Sequence, residues 1–124
     1  MIQGLSHLTF IVRNLDQMEV LLTQVFDAKK VYDSQEQMFS LSKERFFLIG
    51  DLWIALMEGN SLSERTYNHV AFKIAEQDYE LYLARIQSLG LEILPGRARV
   101  EGEGQSIYFY DWDGHLFELH TGTL

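Results

Sequence analysis

The sequence has 124 residues, 47% of them apolar, and a formal net charge of −8, which suits one packed domain and argues against disorder. That acidic balance speaks against unspecific nucleic-acid binding, which needs a basic face, and no apolar run approaches the ~20 residues of a membrane-spanning helix. There is no cysteine, so disulfides, thiolate catalysis and cysteine-based zinc or iron–sulfur sites are excluded. Residues 1–4 have neither the basic nor the apolar part of a signal peptide, and a cytoplasmic protein is expected.

In chain order, residues 6–12 alternate as a strand does. Asn14 then caps a helix whose apolar stripe is Leu15, Met18, Leu22 and Val25. Residues 60–64 read as a linker. A second alternating strand, residues 68–74, repeats the pattern of the first, with His7 and His69 equivalent at an offset of 62. A second helix follows, with Tyr79, Tyr82, Leu83, Ile86 and Leu89 on one stripe and Gly90 as its terminator. The same offset carries residues 46–48 onto 108–110 and Leu56 onto Glu118. Each half therefore reads as strand, helix and about three further strands. The expectation is an α+β domain over residues 1–124, built from βαβββ modules 1–60 and 65–124, with a curved mixed sheet, a cleft inside it and helices outside.

In a strand, residues two apart share a face. His7 then shares a face with Thr9 and Ile11, His69 with Ala71, and Glu118 with Leu116 and His120. The two histidines are either ordinary strand residues or ligands of one metal, and their equivalence in the repeat favours ligands. Two imidazoles and a carboxylate leave coordination positions open for Mn²⁺, Fe²⁺ or Zn²⁺ and an oxygen-rich substrate.

Residues 4–9, 65–72, 106–111 and 113–120 together resemble the fosfomycin resistance proteins of the vicinal-oxygen-chelate (glyoxalase/bleomycin resistance/dioxygenase) superfamily, and the similarity runs essentially end to end. The resemblance implies a glyoxalase-like fold, with His7, His69 and Glu118 as metal ligands. It also implies Mn²⁺ as the usual metal, with Zn²⁺, Fe²⁺ or Ni²⁺ as alternatives. It further implies a homodimer in which His7 of one chain completes a site with His69 and Glu118 of the other.

Family members open the epoxide of fosfomycin with water, glutathione or another thiol. On residues alone, Glu44 is a charged turn residue between Lys43 and Arg45. Residues 40–47, however, resemble the epoxide-hydrolase branch, which implies Glu44 as general base on water, ahead of Glu58, Glu101 and Glu103. A carboxylate that takes water's proton typically contributes ~10²–10⁴ in rate, and a thiol needs such help less. Thr9 matches a threonine that hydrogen-bonds the oxirane oxygen.

The phosphonate calls for cations, and Arg97 and Arg99 lie in the Gly-rich loop of residues 95–104. Ser106 and Tyr108 match phosphonate-contacting positions, and Tyr67 and Trp53 match positions on the site wall. Two departures stand out. Val100 and Gly102 replace side chains that bind potassium in the glutathione branch, and the family pattern continues past Leu124 into a segment with another phosphonate-binding arginine. The competing readings are a thiol transferase of the same family, a ring-cleaving Fe²⁺ dioxygenase, and a metal-free drug-binding protein on the same fold.

Overall fold

A computed structural model describes residues 1–37, 42–95 and 104–122. The chain forms two compact units, Met1–Ser61 and Leu62–Leu124.

In the first unit the order is β1 (His7–Val12), α1 (Leu15–Gln24), β2 (Lys29–Asp33), β3 (Glu44–Ile49) and β4 (Leu52–Glu58). The strands line up as β1-β4-β3-β2, with β1 and β4 parallel and the other pairs antiparallel. Helix α1 starts where Asn14 leaves helical geometry and its side-chain oxygen accepts the Gln17 N–H at 3.0 Å. Its stripe of Leu15, Met18, Leu21 and Leu22 is buried, as are Val12, Phe47, Ile54 and Leu56 on the strands. Each such side chain contributes on the order of 1.5–3 kcal/mol on leaving water. Gly50, with a φ of +59°, and Asp51 alone join β3 to β4.

The register fixes the opposite face of this sheet. His7 stands against Trp53, Thr9 against Ala55 and Ile11 against Met57, while on β4's other side Phe46 meets Ala55 and Glu44 meets Met57. His7, Thr9, Trp53 and Glu44 thus share the face turned away from the buried residues of α1.

The second unit runs β5 (His69–Lys73), a 3₁₀ turn (Glu76–Asp78), α2 (Tyr79–Ser88), β6 (Ser106–Tyr110) and β7 (Leu116–His120). Its sheet order is β5-β7-β6, with the first pair parallel and the second antiparallel. Ile86 is buried and Tyr79, Tyr82, Leu83 and Leu89 are half-buried, so the expected stripe of α2 is the inward one. Gly90 takes a φ of +69° and ends the helix. Val70, Phe72, Ile107, Phe109, Phe117 and Leu119 alternate onto one face, where the Phe109 and Phe117 rings stack at 5.6 Å. The other face carries His69, Ala71, Ser106, Tyr108, Glu118 and His120.

Two expectations change. Where three strands were expected after α2, the described residues hold two, plus a bridge from Ile93 to Phe109 supported by the Leu94 N–H on the Tyr108 carbonyl at 2.9 Å. The repeat partner of Glu118 is Ala55, not Leu56. Glu118 pairs with Ala71, two residues after His69, as Ala55 pairs with Thr9, two residues after His7. Leu56 faces the buried side of its sheet. The connection from β6 to β7 breaks the offset, because residues 111–115 turn where Gly50 and Asp51 suffice in the first unit.

Candidate metal centre and active site

The sheet of the second unit brings His69 and Glu118 into contact. His69 Nδ1 lies 2.7 Å from the Tyr67 carbonyl, which only accepts, so Nδ1 carries the proton and Nε2 presents a lone pair. Nε2 stands 2.9 Å from Glu118 Oε1. Burial pushes the Glu118 carboxyl up, but hydrogen bonds from Ser106 and Tyr108, with the positive charge that His69 and His120 carry when protonated, outweigh it and hold it below the usual carboxylate range. Two acceptors so close repel unless a proton or a metal cation lies between them. Adjacent corners of an octahedron of roughly 2.1 Å radius are about 3 Å apart, so the spacing suits two ligands of one divalent ion. The donor set, an imidazole nitrogen oriented through a backbone carbonyl and a carboxylate oxygen, fits Mn²⁺. Among the described residues no group of three or more His, Asp or Glu side chains stands together as a complete metal cage.

The far oxygen of Glu118 is also held. Ser106 Oγ lies 2.5 Å from Oε2 and 2.6 Å from His120 Nδ1, which is itself 3.5 Å from Oε2. Tyr108 stands opposite Glu118 in the register, its ring 5.5 Å from that of His69. Tyr67 is 63% exposed, with its ring 4.9 Å from His69 and stacked on Tyr108 at 5.8 Å. It belongs to the surroundings of His69 and not to the core.

In the first unit, His7 is exposed at the start of β1. Its ring lies 4.2 Å from that of Trp53, and its Nδ1 is 2.9 Å from Ser6 Oγ. Trp53 is half-buried, stands edge-on to Phe46 at 5.2 Å, and has a buried indole N–H with no hydrogen-bond partner among the described residues. Thr9 is exposed on the same face.

Glu44 is not in a turn: it opens β3. Its N–H donates to Ser34 Oγ at 2.9 Å, and its carbonyl accepts from the Ser34 N–H at 3.0 Å. Strand alternation separates it from its charged neighbours. Arg45 reaches Asp16, Glu19 and Asp33 at 2.8, 3.0 and 3.2 Å, and Lys43 reaches Glu36 and Glu58. The rival carboxylate Glu58 is therefore engaged with Lys43, on the face of β4 away from Glu44. Arg97, Arg99, Glu101 and Glu103 lie outside the described residues.

His115 and His120 had no role in the sequence reading. His115 Nδ1 donates to Asp111 Oδ2 at 2.7 Å, while Asp111 Oδ1 accepts the N–H groups of Asp113 and His115, which ties off the turn before β7. His120 reaches Glu118 through Ser106. The signal was present: His120 follows Glu118 by two residues and so shares its face.

Residues 4–119 match the family model described as the Glyoxalase/Bleomycin resistance protein/Dioxygenase superfamily. The chain is 61% identical over all 124 residues to the fosfomycin resistance protein FosX of Mesorhizobium japonicum, covering 89% of that relative. It is 60% identical to FosX of Listeria monocytogenes over the same span, covering 93% of it. A crystal structure of a mutant of the Listeria monocytogenes protein, complexed with Mn(II) and 1S,2S-dihydroxypropylphosphonic acid, superposes with a TM-score of 0.91 at 55% identity, covering all of this chain and 94% of that one.

Proposed function

This chain belongs to the glyoxalase/bleomycin resistance protein/dioxygenase superfamily, and on that premise we propose that it is a Mn²⁺-dependent hydrolase that opens the epoxide of fosfomycin with water. The observation that carries the reading is the facing pair of His69 Nε2 and Glu118 Oε1, two acceptors poised for a cation. The relative's complex supports the choice of water. A 1,2-dihydroxypropylphosphonate is what an epoxypropylphosphonate becomes on gaining H₂O, and a thiol would leave sulfur on one carbon.

In this reading His69 and Glu118 hold Mn²⁺ with His7 as the third ligand, and the enzyme is a cytoplasmic homodimer in which His7 comes from the partner chain. The bound metal supplies Lewis-acid polarisation of the substrate's oxygens. Glu44 accepts a proton from water as the water oxygen bonds to one oxirane carbon. The carbon–oxygen bond there breaks, and the ring oxygen keeps the electron pair and is protonated. Thr9 donates a hydrogen bond to that oxygen as its charge grows. Glu44 suits this role because its strand aims it away from Lys43 and Arg45, onto the sheet face of His7 and Thr9. Arg97, Arg99, Ser106, Tyr108, Tyr67 and Trp53 are the proposed surroundings of the phosphonate.

The test is NMR of fosfomycin incubated with Mn²⁺-loaded protein, with and without glutathione, and again with protein stripped of metal. The diol should form without thiol and carry one labelled oxygen from ¹⁸O-water. A strict thiol requirement, or a sulfur adduct as sole product, would overturn the reading.

A further inference from the structure

Ser34 is buried, and its hydroxyl takes a hydrogen bond that a main-chain carbonyl would ordinarily take. Two residues facing each other in a closely spaced antiparallel pair exchange both of their N–H···O bonds. Ser34 and Glu44 follow Asp33 and Arg45 in the β2–β3 register, and the Ser34 N–H donates to the Glu44 carbonyl at 3.0 Å. The return bond is different. The Ser34 carbonyl turns away to accept the Gln37 N–H at 3.1 Å, and the Glu44 N–H donates instead to Ser34 Oγ at 2.9 Å. The turn that takes the carbonyl puts Gln35 at a φ of +57°, sparsely populated for a residue with a side chain. Asp33 holds it there: Oδ1 accepts the Gln35 N–H at 2.8 Å, and Oδ2 lies 3.2 Å from Arg45 Nε. Arg45 also meets Asp16 and Glu19, so the turn is tied to helix α1.

We propose that Ser34 is the positioning residue of the general base, a clamp whose side chain and main chain together aim Glu44. The proposal rests on Glu44 as base in the hydrolase reading, and it goes further by saying what points that carboxylate at its water. The N–H of residue 44 belongs to the rigid peptide plane before its Cα, and the carbonyl to the plane after it. Ser34 holds both planes, and the two together set the direction of the Cα–Cβ bond from which the carboxylate extends. Glu44 is the first residue of β3, where a strand has least support from its own continuation. An alanine at position 34 would keep the bond to the Glu44 carbonyl and leave the Glu44 N–H without its acceptor. Aim matters for a base, since a displacement of about 1 Å can cost on the order of 100-fold in rate.

The experiment has two arms. In the first, amide hydrogen exchange is followed by NMR in the whole protein with Zn²⁺ added, which avoids the line broadening of Mn²⁺. The Glu44 amide should be protected in the parent and exchange about 10-fold faster in Ser34→Ala, the usual worth of one hydrogen bond. The Val25 amide, bonded to the Leu21 carbonyl on α1, should not change. This arm is independent of whether fosfomycin is the substrate. In the second arm, Ser34→Ala should lower kcat for hydrolysis by about 10–100-fold at saturating Mn²⁺, with KM and Mn²⁺ affinity within about 2-fold of the parent. Placed on Glu44→Gln, the same change should alter kcat by less than about 2-fold, because no base is left to aim. The proposal is overturned by a Glu44 amide that exchanges freely in the parent, or by parental kcat in Ser34→Ala. An equal loss in both backgrounds also overturns it, since Ser34 would then act on the fold and not through the base. Parental turnover by Glu44→Gln, with the Glu44 amide still protected, would instead sink the assignment of the base and leave the clamp standing.

Discussion

Glu44→Gln isolates the proposed base with little structural disturbance. Both hydrogen bonds that fix residue 44 to Ser34 are made by its main chain, so they survive any change of side chain. The strand pairing with Met57 is likewise a backbone matter, and Lys43 and Arg45 take their acidic partners elsewhere. Gln has almost the volume of Glu and keeps the half-buried position filled. Stability should therefore stay within about 0.5 kcal/mol of the parent, the usual range for a surface change that touches no special feature.

What is lost is the ability to accept a proton. A positioned general base contributes ~10²–10⁴ in rate, or about 2.7–5.5 kcal/mol of barrier at 1.36 kcal/mol per tenfold. The proposed role of Glu44 is toward water and not toward metal or phosphonate, so kcat should fall while Mn²⁺ affinity and KM remain near parental values. An added thiol, which needs less activation, should be the better nucleophile in the mutant. The assay is ³¹P NMR of fosfomycin consumption at saturating Mn²⁺, alongside urea denaturation. Hydrolysis by Glu44→Gln at near the parental rate, with an unchanged denaturation curve, would refute the assignment of Glu44 as base.

Three further outcomes are expected. His69→Ala should abolish tight Mn²⁺ binding, measured by EPR of the free ion, because only two of the three proposed ligands, His7 and Glu118, would remain; retention of parental affinity would place the metal elsewhere. Mixing inactive His7→Ala and Glu118→Ala chains should restore activity in heterodimers, where one site carries both lesions and the other neither, whereas no rescue despite demonstrated subunit exchange means that each site lies within one chain. The Asp33 carboxyl is held below its usual value by the Gln35 N–H, by Lys30 and by Arg45, so its stabilising contribution is full above about pH 4 and is lost as pH falls through the depressed folded value. Asp33→Asn should lower Tm at neutral pH and flatten its fall on acidification, and parallel acid limbs for both proteins would contradict this.

Features decided within a few residues were legible in the sequence. The Asn14 cap, the stripe of α1, the Gly90 terminator and the alternation placing His7 with Thr9 all depend on local period and backbone geometry. Features decided by which strand lies beside which were not. The offset of 62 carried Phe46 onto Tyr108 correctly and then failed by one residue at Glu118, since a longer turn before β7 shifts everything after it. A slip of one residue reverses the face of a strand, so Leu56 was matched to a residue on the opposite side of its sheet. Glu44 looked like a turn residue because Lys43 and Arg45 flank it, and charge alone does not show that alternation sends those two the other way. The Ser106–His120–Glu118 contacts span two strands, and only the register of β6 and β7 brings them together.

The same register shows why the two units are not interchangeable. In the first, Glu44 stands opposite Met57, which pairs in turn with Ile11; in the second, Ser106 stands opposite His120, which pairs with Lys73. Glu44 and Ser106 are therefore equivalent positions in the repeat, as are Ala55 and Glu118. Where β7 carries a carboxylate, the residue at the Ser106 position is a short hydroxyl that reaches it and satisfies its second oxygen. Where β4 carries Ala55, there is no carboxylate to hold, and the equivalent position can present a free acidic side chain. A glutamate at position 106 would crowd Glu118 with like charge, and a serine at position 44 would leave water without a base. The scaffold gives both units a histidine on the first strand, but a divalent site needs only one carboxylate ligand and hydrolysis needs only one base. Assigning Glu118 to the metal and Glu44 to the water separates the two carboxylates onto different copies of one module, so neither has to serve both roles.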